Sequence, residues 1–67
     1  MPTLTVNGKP RQIEREMTVP EFLEAHGIDR RLVAVAVNGE VIPRDRHDVT
    51  VLREGDVVEV VRMVGGG

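Results

Sequence analysis

The sequence predicts a two-layer α+β domain, with one short helix packed across a mixed sheet of four or five strands. Three observations predict it. Asn-Gly pairs at 7–8 and 38–39 each sit between extended runs, one capped helical stretch begins at "TVPE", and a last apolar run, "VVEVVRMV" at 57–64, must find a place in the sheet already begun. At 67 residues the chain is one domain with a thin core, burying about 60% of the surface its unfolded form exposes. A deep active-site cleft does not fit in that volume.

The first run, Thr3 to Val6, alternates polar and apolar and sets Leu4 and Val6 on one face, as a half-buried strand requires. Asn7-Gly8 then turns the chain, because both central positions of a tight hairpin need positive φ and these residues tolerate it. The return strand is read as "RQIERE" at 11–16, anchored by Ile13. Thr18 and Glu21 have the form of a capping box, in which the hydroxyl accepts from a free backbone N–H and the carboxylate reaches back. Pro20 falls in the first turn, where its missing N–H costs little. The helix is predicted from Val19 to His26, with Val19, Phe22, Leu23 and His26 on one face. His26 lies at the end that suits positive charge, and Gly27 is a left-handed cap.

"LVAVAV" at 32–37 is continuously apolar and β-branched, a strand covered on at least one face. Asn38-Gly39 turns it into "EVI", which Pro43 ends. "RDRHDVTVL" reads as a polar connection into a brief extended piece around Val49 to Leu52, and "REGD" at 53–56 as a turn before the final strand.

Composition excludes several functions. There is no cysteine, hence no disulfide framework, thiolate metal site or side-chain persulfide. The two histidines, His26 and His47, read as surface or loop residues and give no metal site. Net charge is −2 with both signs mixed, and the basic pieces "DRR" and "RDRHD" carry their own acids, so they read as solvated loops. With Phe22 the sole aromatic and no basic stripe, the chain lacks a nucleic-acid footprint. No run approaches the roughly 20 apolar residues of a membrane span. No export signal is visible in "MPTLTVNGKP", and the expected compartment is the cytoplasm. Without serine or cysteine, and with isolated histidines, the usual nucleophile and base pairings cannot be assembled.

The last strand carries a clue of its own. Val58, Val60, Arg62 and Val64 alternate with Val57, Glu59, Val61 and Met63, and neither set is cleanly polar. If Val58 and Val60 point into the helix-covered core, then Val57, Val61 and Met63 flank Glu59 on the outer face, an apolar patch fit for docking a partner. Directly after it come Gly65, Gly66 and Gly67.

The element order, "AVNGEVIPR" at 36–44, "LREGDVVEVVRMV" at 52–64 and the glycine ending closely resemble the ubiquitin-like sulfur carrier proteins over nearly the whole chain. "MVGGG" and "NGEVIPR" resemble the thiamine branch, the ThiS family, more than its molybdopterin-synthase sibling, MoaD. The resemblance implies a ubiquitin-like β-grasp domain over 1–64 and a flexible glycine tail over 65–67. It also implies the chemistry of the terminus. A ThiF-like adenylyltransferase activates Gly67, next to Gly66 of the diglycine. A sulfur-donor enzyme displaces AMP from the transient acyl-adenylate, and the thiocarboxylate at Gly67 supplies sulfur to a thiazole synthase of the ThiG kind. No other cofactor, no metal, no nucleic acid and no membrane are implied, and the chain acts as a substrate rather than an enzyme.

Elementary chemistry fits that assignment. An α-carboxylate has a pKa of about 3.5 and is a poor electrophile at neutral pH, so it needs a leaving group before sulfur can attack. Glycine lets the backbone approach catalytic groups closely, and three extended residues reach roughly 10 Å into a narrow site. A glycine ending alone also suits a flexible linker. A molybdopterin-type carrier, a ubiquitin-like modifier and a plain binding module remain alternatives, because the activation step of carrier and modifier is shared.

Overall fold

The computed structural model describes residues 1–63. Both Asn-Gly pairs adopt the backbone their chemistry favours, with φ of +50° and +83° at Asn7 and Gly8 and of +52° and +84° at Asn38 and Gly39. The first turn joins β1 (Thr3–Val6) to β2 (Lys9–Gln12), and the second joins β4 (Val33–Val37) to β5 (Glu40–Ile42). A two-residue turn starts pairing at once, so Val6 faces Lys9 and Thr3 faces Gln12. The return strand therefore lies earlier than "RQIERE". Ile13 falls just past it, buried, with its N–H donating to the Pro2 carbonyl (2.9 Å).

Between the hairpins come β3 (Met17–Thr18) and α1 (Val19–Ala25). The capping box is present: Thr18 N–H donates to Glu21 Oε1 (2.9 Å) and Glu21 N–H donates to Thr18 Oγ1 (3.4 Å). The Thr18 backbone and hydroxyl donors hold the Glu21 carboxyl below its ordinary range. His26 closes the helix rather than joining its buried face. His26 is exposed, its ring lies 4.4 Å from that of Phe22 at a tilt of 40°, and its Nδ1–H donates to the Phe22 carbonyl (2.9 Å). Gly27 follows at φ +68°.

A 3₁₀ turn (Arg30–Leu32) leads into β4, and a second (Arg44–Val49) follows β5. The second corrects the reading of "RDRHDV" as a plain polar connection. His47 is 2% exposed, and its Nε2–H donates to the Ile42 carbonyl (3.1 Å). It is a buried structural residue, not a surface one, because that hydrogen bond satisfies its polar edge where the segment packs on α1. The extended piece after it is β6 (Val51–Leu52), which pairs antiparallel with β3 in a separate two-stranded sheet; Val49 belongs to the 3₁₀ turn. The "REGD" turn is closed by Asp56 N–H to the Arg53 carbonyl (3.0 Å).

The last strand, β7 (Val57–Arg62), enters the middle of a five-stranded sheet of order β2-β1-β7-β4-β5. It runs parallel to β1, with Thr5 opposite Val57, and antiparallel to β4, with Val35 opposite Val60. Alternate residues of these strands, Leu4, Val33, Val35 and Val58, are buried against Val19, Phe22 and Leu23 of α1 and against Leu52.

The asparagines of the two turns also clasp this strand. Asn7 Oδ1 accepts from Val60 N–H (2.8 Å) while its Nδ2 donates to the Val60 carbonyl (3.2 Å). At the other end Asn38 Oδ1 accepts from Val57 N–H (2.9 Å), and Asn38 N–H donates to the Val57 carbonyl (2.7 Å). Asn7→Gly keeps the turn backbone, removes the clasp and adds glycine's freedom to the unfolded chain, so it is expected to cost about 1 kcal/mol or more in denaturant unfolding. Asn7→Ala is expected to cost more, because it also strains the positive φ. Equal stability of Asn7→Gly and the parent chain would show that the clasp contributes nothing.

A candidate docking face on the last strand

Because β7 is central, its two faces see different surroundings. Val58 is fully buried under α1 and Val60 is half-buried, whereas Val57, Val61 and Met63 are 44%, 59% and 51% exposed. Glu59 is exposed between them. The register thus brings Val57, Glu59 and Val61 onto one side of the sheet, the side turned away from the helix, and Met63 is exposed just past the strand. Gly65, Gly66 and Gly67 lie outside the described residues, as does Val64.

The face is wider than β7. Ala34 of β4 lies opposite Val61 and Ala36 opposite Glu59, while Ala36 also faces Val41 of β5, which is 68% exposed. Thr5 of β1 lies opposite Val57 on the other flank. Leu32, 48% exposed, borders the same end through its carbonyl, which accepts from Met63 N–H (2.8 Å). Small alanines at the centre with valines around them make a shallow apolar surface with Glu59 as the charge in its middle. The alternation of valine and alanine in "VAVAV" was the available signal for this extension. Reading that run as uniformly apolar conceals it.

The charged segments at the end of the sheet are ordered by pairing and remain solvent-exposed. Arg31 donates from Nη2 (2.9 Å) and Nε (3.1 Å) to the two carboxylate oxygens of Asp29, and its backbone N–H donates to Oδ1 (2.9 Å). Arg44 donates to the Arg31 carbonyl (2.8 Å), and Arg30 lies 3.5 Å from Asp48. These groups cap the entry to β4. Among the described residues no group of three or more potential ligands converges to hold a metal, and no helix is long and apolar enough to cross a membrane.

A helix held in the curl of a mixed five-stranded sheet, with two hairpins and a last strand inserted at the centre, defines a ubiquitin-like β-grasp protein. The chain belongs to the ThiS family, whose family model matches residues 4–67. It is 42% identical over 62 residues to the sulfur carrier protein ThiS of Thermus thermophilus, spanning 92% of this chain and 95% of that one. The crystal structure of a thiamine biosynthesis protein (ThiS) from Geobacter metallireducens superposes with a TM-score of 0.85 at 40% identity, covering 97% of this chain and 99% of that one. A thiazole synthase of Paramagnetospirillum magneticum is 38% identical over 64 residues; they are 96% of this chain but 20% of that protein, so this chain spans about a fifth of it.

The Asp29 carboxyl is held down to about 2 by the Arg31 guanidinium first and the Arg31 N–H second. A depressed carboxyl stabilises the fold above its unfolded pKa, and that contribution is lost as pH falls towards about 2. A carboxyl-carbon NMR titration is expected to show this low midpoint, and Arg31→Gln to raise it part of the way towards an ordinary aspartate, since the backbone N–H bond remains. An unmoved midpoint would remove the guanidinium as the cause.

Proposed function

We propose that this chain is a sulfur carrier protein supplying thiazole formation in thiamine biosynthesis, with the carboxylate of Gly67 as its working group. The observation that carries this reading is the family match running from residue 4 to residue 67, through the whole domain and the glycine ending. The match to part of a thiazole synthase supports that enzyme class as the recipient of the sulfur.

In the proposed cycle the Gly67 carboxylate attacks the α-phosphorus of ATP on a ThiF-like adenylyltransferase, and pyrophosphate leaves. Sulfide-level sulfur, as HS⁻ delivered by a donor enzyme, adds to the acyl-adenylate carbon and gives up its proton, and AMP leaves with the bonding pair. The resulting thiocarboxylate passes its sulfur to the thiazole synthase. The chain contributes no acid, base or nucleophile beyond its terminus. It works in the cytoplasm, where these partners act.

Docking falls to Val57, Glu59, Val61 and Met63, with Ala34, Ala36 and Val41 extending the surface. An apolar sheet face immediately before the glycines suits a partner that grips the domain while the terminus enters its site. Val61 and Met63 are exposed, so Val61→Asp or Met63→Asp is expected to weaken binding to the adenylating enzyme by at least about tenfold with the fold retained. Undiminished binding in a titration with purified enzyme would dismiss this face as the interface.

Adding one residue after Gly67 moves the carboxylate outward by about 3.5 Å and puts a peptide bond in its place. Misplacement by about 1 Å can already cost two orders of magnitude in rate, so the extended chain is expected to be nearly inert in ATP-pyrophosphate exchange. Exchange equal to that of the parent chain would overturn the carrier reading.

A further inference from the structure

The side of the sheet that α1 covers is not fully covered. Seven helical residues make a rod about 10 Å long and about 10 Å across, while five strands at about 4.8 Å spacing span about 20 Å. The second 3₁₀ turn and the β3-β6 pair supplement the cover, the turn packing against α1. At the C-terminal end of α1 the core reaches the surface in a cleft of about 550 Å³. Three of the four half-buried apolar residues packed on the core, Val6, Ile28 and Val60, line it.

Its rim is basic for a reason visible in the register. Lys9 lies opposite Val6, Arg11 opposite Leu4 and Arg62 opposite Val33, so all three cations occupy the phase of their strands that faces the core. This explains why the inward face of β7 is not uniformly apolar: Arg62 takes an inward position where the helix no longer reaches. None of the three forms a salt bridge among the described residues. Asp29, the carboxylate on this rim, is committed to Arg31.

We propose that this cleft binds an acidic peptide segment of a protein partner, apolar side chains resting on Val6, Ile28 and Val60 and flanking carboxylates meeting Lys9, Arg11 and Arg62. Charge complementarity selects the occupant. Lys9 and Arg11 of β2 and Arg62 of β7 stand around an apolar floor, which suits charges spread along a chain rather than one compact anion. Phe22 is buried at 1% exposure and provides no platform for a base. Carboxylates spread along an apolar chain match the remaining chemistry. The site is on the opposite side of the sheet from Val57, Val61 and Met63, so it stands or falls apart from the proposed docking face.

The test is an amide-resolved NMR titration of the full chain with a synthetic hexapeptide, two central leucines flanked on each side by two glutamates. The same peptide with glutamines and inorganic phosphate serve as comparisons. The acidic peptide is expected to bind with a Kd of about 1 mM or tighter, shifting the amides of Val6, Ile28 and Val60 more than those of Val57 and Val61. Raising ionic strength from about 0.05 to about 0.5 M shortens the screening length about threefold and weakens the binding. The triple variant Lys9→Gln, Arg11→Gln, Arg62→Gln changes only exposed residues, and is expected to lose at least about tenfold in affinity. Equal binding of the glutamine peptide, phosphate alone reproducing the shifts, shifts confined to the outer face, an unaffected triple variant or no binding at all would each overturn the proposal. The last outcome would leave the cations as cover for the edge of the core.

Discussion

β7 comes last in sequence yet lies at the centre of the sheet, parallel to β1 and antiparallel to β4. Without it the two hairpins share no hydrogen bond within that sheet, and Val58 leaves the core to which α1 is fitted. Bringing Val57 beside Thr5 closes a long loop, an entropy cost that grows only slowly with length. The offsetting contacts are unusually complete. β4 pairs along Val33 to Val37, Asn7 and Asn38 bond the strand through their side chains, and Thr5 N–H reaches the Asp56 carbonyl (3.0 Å) just before the strand begins. Each Asn-Gly pair therefore has two tasks, turning its own hairpin and receiving a strand that arrives later.

From that placement follows the division of the sheet into two surfaces of different chemistry. A single layer of helix can bury one face, and the residues facing it are large and apolar wherever α1 reaches. Beyond its reach the inward positions carry Lys9, Arg11 and Arg62, whose aliphatic stems can lie along apolar surface while their charges stay in water. Among the described residues the other face has no layer over it. A sheet left open in this way is ordinarily polar, and the presence of Val41, Val57 and Val61 there is the departure on which the docking proposal rests.

What the sequence made legible was local. The two turns, the capping box at Thr18 and Glu21 and the alternation along β7 each depend on residues within a few positions of one another. β2 was placed late because Lys9 to Gln12 form an exposed edge with no apolar period to mark them. β3 and β6 are two residues each, too short for any period, and exist because they find each other across the chain. His47 looked solvated because its partner, the Ile42 carbonyl, becomes its neighbour only after the 3₁₀ turn folds back. The docking face was half legible for the same reason: β7 declares its own outward residues, but Ala34, Ala36 and Val41 join them through cross-strand register, which no single strand encodes. The role of Gly67 rested on resemblance, since three glycines have no pattern to read.

In the docking proposed above, Glu59 is the group that sets selectivity. An uninterrupted patch of valine and alanine would cover itself with any apolar surface, including another copy of the chain. A carboxylate at its centre changes the balance, because burying an uncompensated charge costs several kcal/mol, more than the burial of a neighbouring valine returns. Self-association sets Glu59 against apolar groups or against its own kind, and is opposed. For the docking proposed above, a partner that covers this face must bring a cation or a hydrogen-bond donor to Glu59. Met63, whose N–H donates to the Leu32 carbonyl, borders the same face. One strand thereby supplies part of the core and, in the docking proposed above, the recognition surface.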